Sequence, residues 1–268
     1  MTLRRLEPVF HERVWGSTKL QPWFPNPAND KNIGEVWFEE PDSPLLIKFL
    51  FTTQNLSIQV HPDDGYARKH HNSPGKTEMW HVLAAEPGAK IAAGFRKPVT
   101  KERVGAAAIS GDIVDLLEWF PASKGDTFFV PAGTVHAIGA GLTICEIQQR
   151  SDVTYRLFDY FRGRELHLDR ALAVCHLGPY QPCVKMPVES KYFSVDLVTP
   201  PNGADLTSDP ADYQVLVVLS GHGEIGGNAV APGQAWRLVD APGPIFSIPN
   251  LEILRVRLQN KSYTTLVR

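Results

Sequence analysis

The chain has 268 residues, of which 43% are hydrophobic, enough for one large domain or two small ones. A formal net charge of -2, with 21% charged residues of mixed sign, gives neither nucleic acid nor an anionic membrane surface an electrostatic footprint. No stretch has the apolar length of a signal-peptide core or a membrane span. The three cysteines, Cys145, Cys175 and Cys183, form no CxxC pair, which suits a reduced, cytoplasmic protein.

Residues 1–30 read as an irregular lead-in, packed over a core by Trp15, Trp23 and Phe24. Beyond them, prolines and glycines (22 and 21) punctuate short apolar segments, the pattern of a β-sandwich or barrel. The first good strand is Ile33 to Phe38. A second, Leu45 to Phe51, is apolar except for Lys48. That lysine either snorkels to the sheet edge or faces a polar cavity where an anion pairs with it. The third strand runs from Asn55 to Val60. Its period of two puts Ser57, Gln59 and His61 on one face. An amide oxygen beside an imidazole nitrogen suits a borderline divalent cation such as Zn²⁺.

Residues 62–71 fit a short helix with acidic residues at its start and basic ones at its end. His70 and His71 are expected there as solvated last-turn residues. Lys76 to Leu83 is the next strand. Lys76, Glu78 and Trp80 share one face, so Glu78 is a candidate third ligand. His81 points the other way and reads as a packed structural histidine. Ala89 to Phe95 is a further strand, Thr100 to Ile109 a helix with Thr100 as N-cap, and Gly111 to Trp119 a second amphipathic piece.

The run Gly125-Asp126-Thr127-Phe128-Phe129-Val130-Pro131-Ala132-Gly133-Thr134-Val135-His136 places a strand between two turns. The second turn delivers His136 to the next strand, read as continuing through Ala137 to Ile147. Glu146 then faces the same cavity as His136, provided no bulge intervenes. Leu166 to Cys175 has helical spacing, and 176–187 reads as a proline-rich linker. Strand patterns resume at Tyr192 to Thr199, Tyr213 to Leu219, His222 to Ile225, Gly233 to Leu238, Ile245 to Ile248 and Leu251 to Leu258. The stretch Val82 to Ile91, followed by Gly125-Asp126, resembles Val218 to Ile225, followed by Pro232-Gly233-Gln234 and Pro242-Gly243-Pro244. Two related units are therefore expected: 1–180 with the chemistry, and 181–268 with packing only.

The pattern Gly125-x5-Pro131-x-Gly133-x2-His136 resembles the second motif of the cupin superfamily, and Gln59-x-His61 with Glu78 resembles a variant of the first. With Val14 to Gly16, Ile33 to Trp37, Leu45 to Phe49, and Ser151 to Arg156 leading into Arg164 to His167, the chain resembles the short bacterial type I mannose-6-phosphate isomerases. The resemblance runs from about Phe10 to Val174. It implies a mainly β fold of two cupin (jelly-roll-like) barrel units with a few short helices. It also implies one Zn²⁺ held by Gln59, His61, Glu78 and His136, and a catalytic Arg156. Lys76 and Glu146 match positions implicated in proton handling, with the base left open between them. Lys48 and Ser57 match residues expected near the sugar phosphate. The implied partner is a small hexose 6-phosphate, with no nucleic acid or membrane, acting on a monomer or homodimer.

Overall fold

The computed structural model describes residues 2–40, 43–199, 213–239, 245–247 and 251–259. Within them the fold is mainly β, with four antiparallel sheets and four short α-helices. A seven-stranded sheet is ordered 183–184, 127–130, 78–85, 142–149, 45–52, 33–38 and 8–17. A five-stranded sheet is ordered 155–158, 58–60, 136–138, 90–95 and 117–121. A six-stranded sheet and a three-stranded sheet are built chiefly from the C-terminal third.

Alternation explains how these sheets stack. In Leu45–Thr52 every residue is buried, because both faces are covered. Leu45, Ile47, Phe49 and Phe51 enter a core shared with Val188, Phe193, Val195, Val215 and Val217 of the six-stranded sheet. Leu50 faces the opposite way, into a second core with Trp80, Val82, Ile91, Phe128 and Ile138, where the seven- and five-stranded sheets meet. The outer face of the five-stranded sheet, with Ile58, Val60, Ala92 and Leu157, is covered by the helices Lys101–Ser110 and Leu168–Val174. Phe24 meets Phe49 edge-on, ring centroids 5.2 Å apart. Such a contact adds about 0.5–1.5 kcal/mol beyond the area it buries.

Of the lead-in, 18–30 are irregular as expected, but 2–17 are not. Thr2–Leu6 and Pro8–Ser17 are strands. The first pairs with Ala235–Val239 on the edge of the six-stranded sheet, Arg4 opposite Arg237. Two arginines on a short edge strand conceal its period and protect the edge. The piece from Gly111 to Trp119 also differs. Gly111, with φ +91°, closes the preceding helix; one turn follows at Ile113–Leu116, and Leu117–Pro121 is then a strand. The reading of Ala137 to Ile147 as one strand fails too, because the chain turns at Gly139 to Gly141 and passes from the five-stranded to the seven-stranded sheet. Residues 176–187 include the strand Cys183–Val184, paired with Thr127–Val130. The stretch Pro242 to Pro244 and Ile248 lie outside the described residues.

The two similar sequence stretches make the same backbone contacts. Gly125 N–H donates to the Val82 carbonyl and Val82 N–H to that of Asp126, both at 2.9 Å. Gly233 N–H donates to the Val218 carbonyl and Val218 N–H to that of Gln234, again both at 2.9 Å.

Candidate metal centre and active site

The centre lies between the inner faces of the five- and seven-stranded sheets. In the former, Gln59 is directly opposite both His136 and Arg156 in the strand registers. Residues paired across antiparallel strands point to one face, so these three side chains enter the same space. In the latter, Glu146 is opposite Lys48 on one side and Trp80 on the other. His61 follows its strand, and Lys76 precedes the strand that begins at Glu78.

Three candidate ligands converge. One ligand atom each from His61, Glu78 and His136 lies within 4.8 Å of the others, and all three residues are 1% exposed. His61 Nε2 is 3.3 Å from Glu78 Oε1, and His136 Nε2 is 3.8 Å from Glu78 Oε2. His61 Nδ1 is 3.0 Å from the Val153 carbonyl, and His136 Nδ1 2.9 Å from that of Thr134. Each carbonyl accepts a hydrogen bond from Nδ1–H and so fixes the tautomer whose Nε2 lone pair points inward. The Gln59 amide is 3.4 Å from His136 Nε2, and its oxygen accepts from the Ser57 hydroxyl at 3.2 Å.

Electrostatics favour deprotonated ligands. Burial, aided by Lys76, pushes the His61 imidazole down to about 3, and burial lowers His136 as well. Burial acts to raise Glu78, but Lys76, at 2.7 Å, and His61 outweigh it and hold the carboxyl well below its ordinary range. Both Glu78 oxygens are buried without a well-formed hydrogen bond. Two inward imidazole nitrogens and a buried carboxylate, its charge balanced only in part by Lys76, form a donor set that fits a divalent cation such as Zn²⁺.

Beside this cluster, Glu146 accepts a hydrogen bond from the Trp80 indole at 2.8 Å, and its other oxygen faces the Lys48 ammonium at 3.4 Å. The Trp80 ring also meets the His136 ring edge-on, centroids 5.4 Å apart. Glu146 and His136 thus reach one chamber from two sheets, through a turn rather than along one strand. Burial and then Glu78 push the Glu146 carboxyl up. Lys48 is buried and faces this polar chamber; its ammonium lies over the Trp37 ring, 4.4 Å from the centroid. Arg156 is half-buried, and its guanidinium donates to the Glu165 carbonyl at 2.7 Å.

Trp80 and Trp37 were not singled out by sequence reasoning as site residues. Alternation placed Trp80 on the Glu78 face, but its bond to Glu146 depends on a pairing between distant strands. His81 is buried with Nδ1 3.0 Å from the Thr127 hydroxyl, a packing role. His70 is exposed, whereas His71 is not merely solvated: its Nε2 lies 2.5 Å from the Tyr155 hydroxyl. Cys145 and Cys175 are buried and Cys183 exposed, all free.

No family model matches the chain. A mannose-6-phosphate isomerase of Streptococcus mutans is 32% identical over 278 residues, 82% of this chain and 87% of that one. The chain belongs to the mannose-6-phosphate isomerase family. Another mannose-6-phosphate isomerase, from Bacillus subtilis, is 37% identical over 209 residues, 63% of this chain and 66% of that one. The crystal structure of a Bacillus subtilis mannose 6-phosphate isomerase superimposes with a TM-score of 0.83 at 26% identity, covering 96% of this chain and 99% of that one. The mannose-6-phosphate isomerase assignment makes the chain an aldose–ketose isomerase. Among the described residues, no helix is long and apolar enough to cross a membrane.

Proposed function

We propose that the protein interconverts mannose 6-phosphate and fructose 6-phosphate through a cis-enediol, with one Zn²⁺ held by Gln59, His61, Glu78 and His136. The observation that carries this reading is the convergence of two tautomer-fixed imidazoles on the buried Glu78 carboxylate, beside a second buried carboxyl, in a member of this family. The cation, when bound, polarises the substrate oxygens as a Lewis acid.

The chain's own residues supply the rest. After ring opening, a proton leaves the carbon next to the carbonyl and returns to its neighbour. Glu146 is our base. Burial and Glu78 raise its carboxyl, which favours a group that both takes and returns a proton. Burial acts to lower Lys76, but Glu78 and Glu146 outweigh it and raise it. Lys76 therefore stays an ammonium and serves to fix Glu78. Arg156, on the face shared by Gln59 and His136, supplies positive charge to the enediolate. Lys48 and Ser57 are assigned to the phosphate end, Lys48 as a point charge that also steadies Glu146.

The division of labour follows the two units. Residues 1–180 hold every proposed site residue, while 181–268 supply packing, with Thr2–Leu6 crossing over to complete the second unit's sheet. The test is a coupled assay with mannose 6-phosphate on zinc-replete, folded protein. Turnover with one bound zinc per chain is expected. Absence of turnover from such a sample would refute the assignment.

A further inference from the structure

The segment Gly75-Lys76-Thr77-Glu78 carries two site residues, and it is gripped from behind by a buried polar relay. Gly75 N–H donates to Asp64 Oδ1 at 2.9 Å. The same oxygen accepts from the Gln149 amide at 2.9 Å. Gln149 Oε1 in turn accepts from Thr77 N–H at 3.0 Å, and Gln149 N–H donates to the Thr77 carbonyl at 3.1 Å. Thr77 is thus held on both sides of its peptide between Lys76 and Glu78. Its hydroxyl accepts from Ala132 N–H at 3.3 Å, tying it to the turn that delivers His136. The relay has one more member. The Tyr192 hydroxyl donates to Asp64 Oδ2 at 3.0 Å. Tyr192 belongs to the second unit, which supplies no proposed ligand.

All members are enclosed: Gln149 is 0% exposed, Thr77 3%, Tyr192 4% and Asp64 8%. Gly75 leaves no slack, since a Cβ there would lie 2.6 Å from Asp64 N and 2.9 Å from the Pro62 carbonyl oxygen. The Lys76 N–H donates to that same carbonyl at 3.1 Å. Hydrogen-bonded groups behind a ligand set its orientation, and losing one commonly weakens metal affinity or activity about 10–100-fold. A buried carboxylate that accepts from Gly75, Gln149 and Tyr192, with the Arg68 and Lys191 cations 3.7 and 3.9 Å from Oδ2, is rigid, because abandoning a buried donor leaves a desolvated group.

We propose that Tyr192, Asp64 and Gln149 are positioning residues that let the second unit set the place of Lys76 and Glu78 in the metal centre. The metal-free unit is then part of how the site is built. The inference rests on the metal assignment above, and the relay touches neither substrate nor metal.

The test uses the full chain and Zn²⁺ itself. Tyr192→Phe removes one hydroxyl and keeps the ring. Zinc affinity is measured by competition with a chromophoric chelator, and kcat and KM by the coupled assay with saturating zinc. The expected result is zinc affinity weaker by about tenfold, with kcat lower by a similar factor and KM within about twofold. Val215→Ala, a cavity in the second unit's buried core, serves as the control; it is expected to lower the melting temperature with zinc affinity unchanged. Zinc affinity and kcat both within about twofold of the parent in Tyr192→Phe would overturn the relay, as would an equal loss of zinc affinity in Val215→Ala. A parent that binds zinc but does not isomerise defeats the proposed activity alone, since the affinity comparison still tests the relay.

Discussion

The Lys48 ammonium and the Glu146 carboxylate face each other across adjacent strands at 3.4 Å, both almost wholly enclosed. Trp80 donates to the other Glu146 oxygen, so with the Lys48 and Lys76 ammoniums it supports the carboxylate form against burial and Glu78, which oppose it. Trp80→Phe removes that donor without emptying the space. The Glu146 carboxyl then rises further, and the acidic limb of the kcat–pH profile moves to higher pH by about one unit. An unmoved limb would mean that Glu146 is not the group whose ionisation limits turnover.

The metal-free protein should lose stability on mild acidification through His61. The imidazole titrates at about 3 in the folded chain and at an ordinary histidine value when unfolded. Between those values the unfolded chain binds a proton that the folded chain refuses. The stabilisation is therefore complete above about pH 6.5 and declines as pH falls toward 3, by at most about 1.4 kcal/mol per pH unit for one proton. Glu78, held low, adds a further loss at still lower pH. Urea denaturation of the zinc-free parent from pH 7 to 4 should show this slope. Burial lowers His136 too, so His61→Gln should make the slope shallower rather than abolish it, and equal slopes for the two proteins would contradict the account.

Arg156→Ala should reduce kcat by about three orders of magnitude while one zinc per chain is retained. The guanidinium bonds to the Glu165 carbonyl rather than to a ligand of the cluster, so its removal leaves the donor set intact. Metal analysis of the same sample decides the matter. Loss of zinc would make Arg156 part of the centre's scaffold rather than of the chemistry.

Gly133 and Gly88 offer a matched pair for separating backbone strain from collision. Both have positive φ, +87° and +84°. A Cβ at Gly88 meets open space, whereas one at Gly133 would lie 2.7 Å from the His176 ring. Gly88→Ala should cost about 1 kcal/mol from the left-handed backbone alone. Gly133→Ala should cost clearly more, about 2–4 kcal/mol, and weaken zinc binding because this turn leads to His136. Denaturant midpoints of the two variants provide the comparison.

Much of the site was legible because its signals are local. The period of two put Gln59 with His61 and Lys76 with Glu78, and the Pro131-Ala132-Gly133 turn marked the approach to His136. Thr100 does cap its helix, accepting from Arg103 N–H at 3.2 Å. What escaped depends on distant pairing. Trp80 meets Glu146 only because two strands lie in register, and Asp64 reads as an ordinary acidic first-turn residue until Gln149 and Tyr192 are seen against it. Thr2–Leu6 was missed because its partner lies near the far end of the sequence and its two arginines mask the alternation. Gly111 to Trp119 was misread because a single helical turn leads straight into an edge strand, and apolar spacing over so few residues fits both periods.

That first strand also bears on how the molecule is made. During synthesis Thr2–Leu6 leaves the ribosome long before residues 235–239, against which it docks. Until those residues have been made, the strand has no partner on that edge. Covering that sheet edge is a long-range closure of the kind that slows folding. A fusion partner placed ahead of residue 2 would burden that closure, which lies far along the sequence from the proposed ligands between 59 and 136.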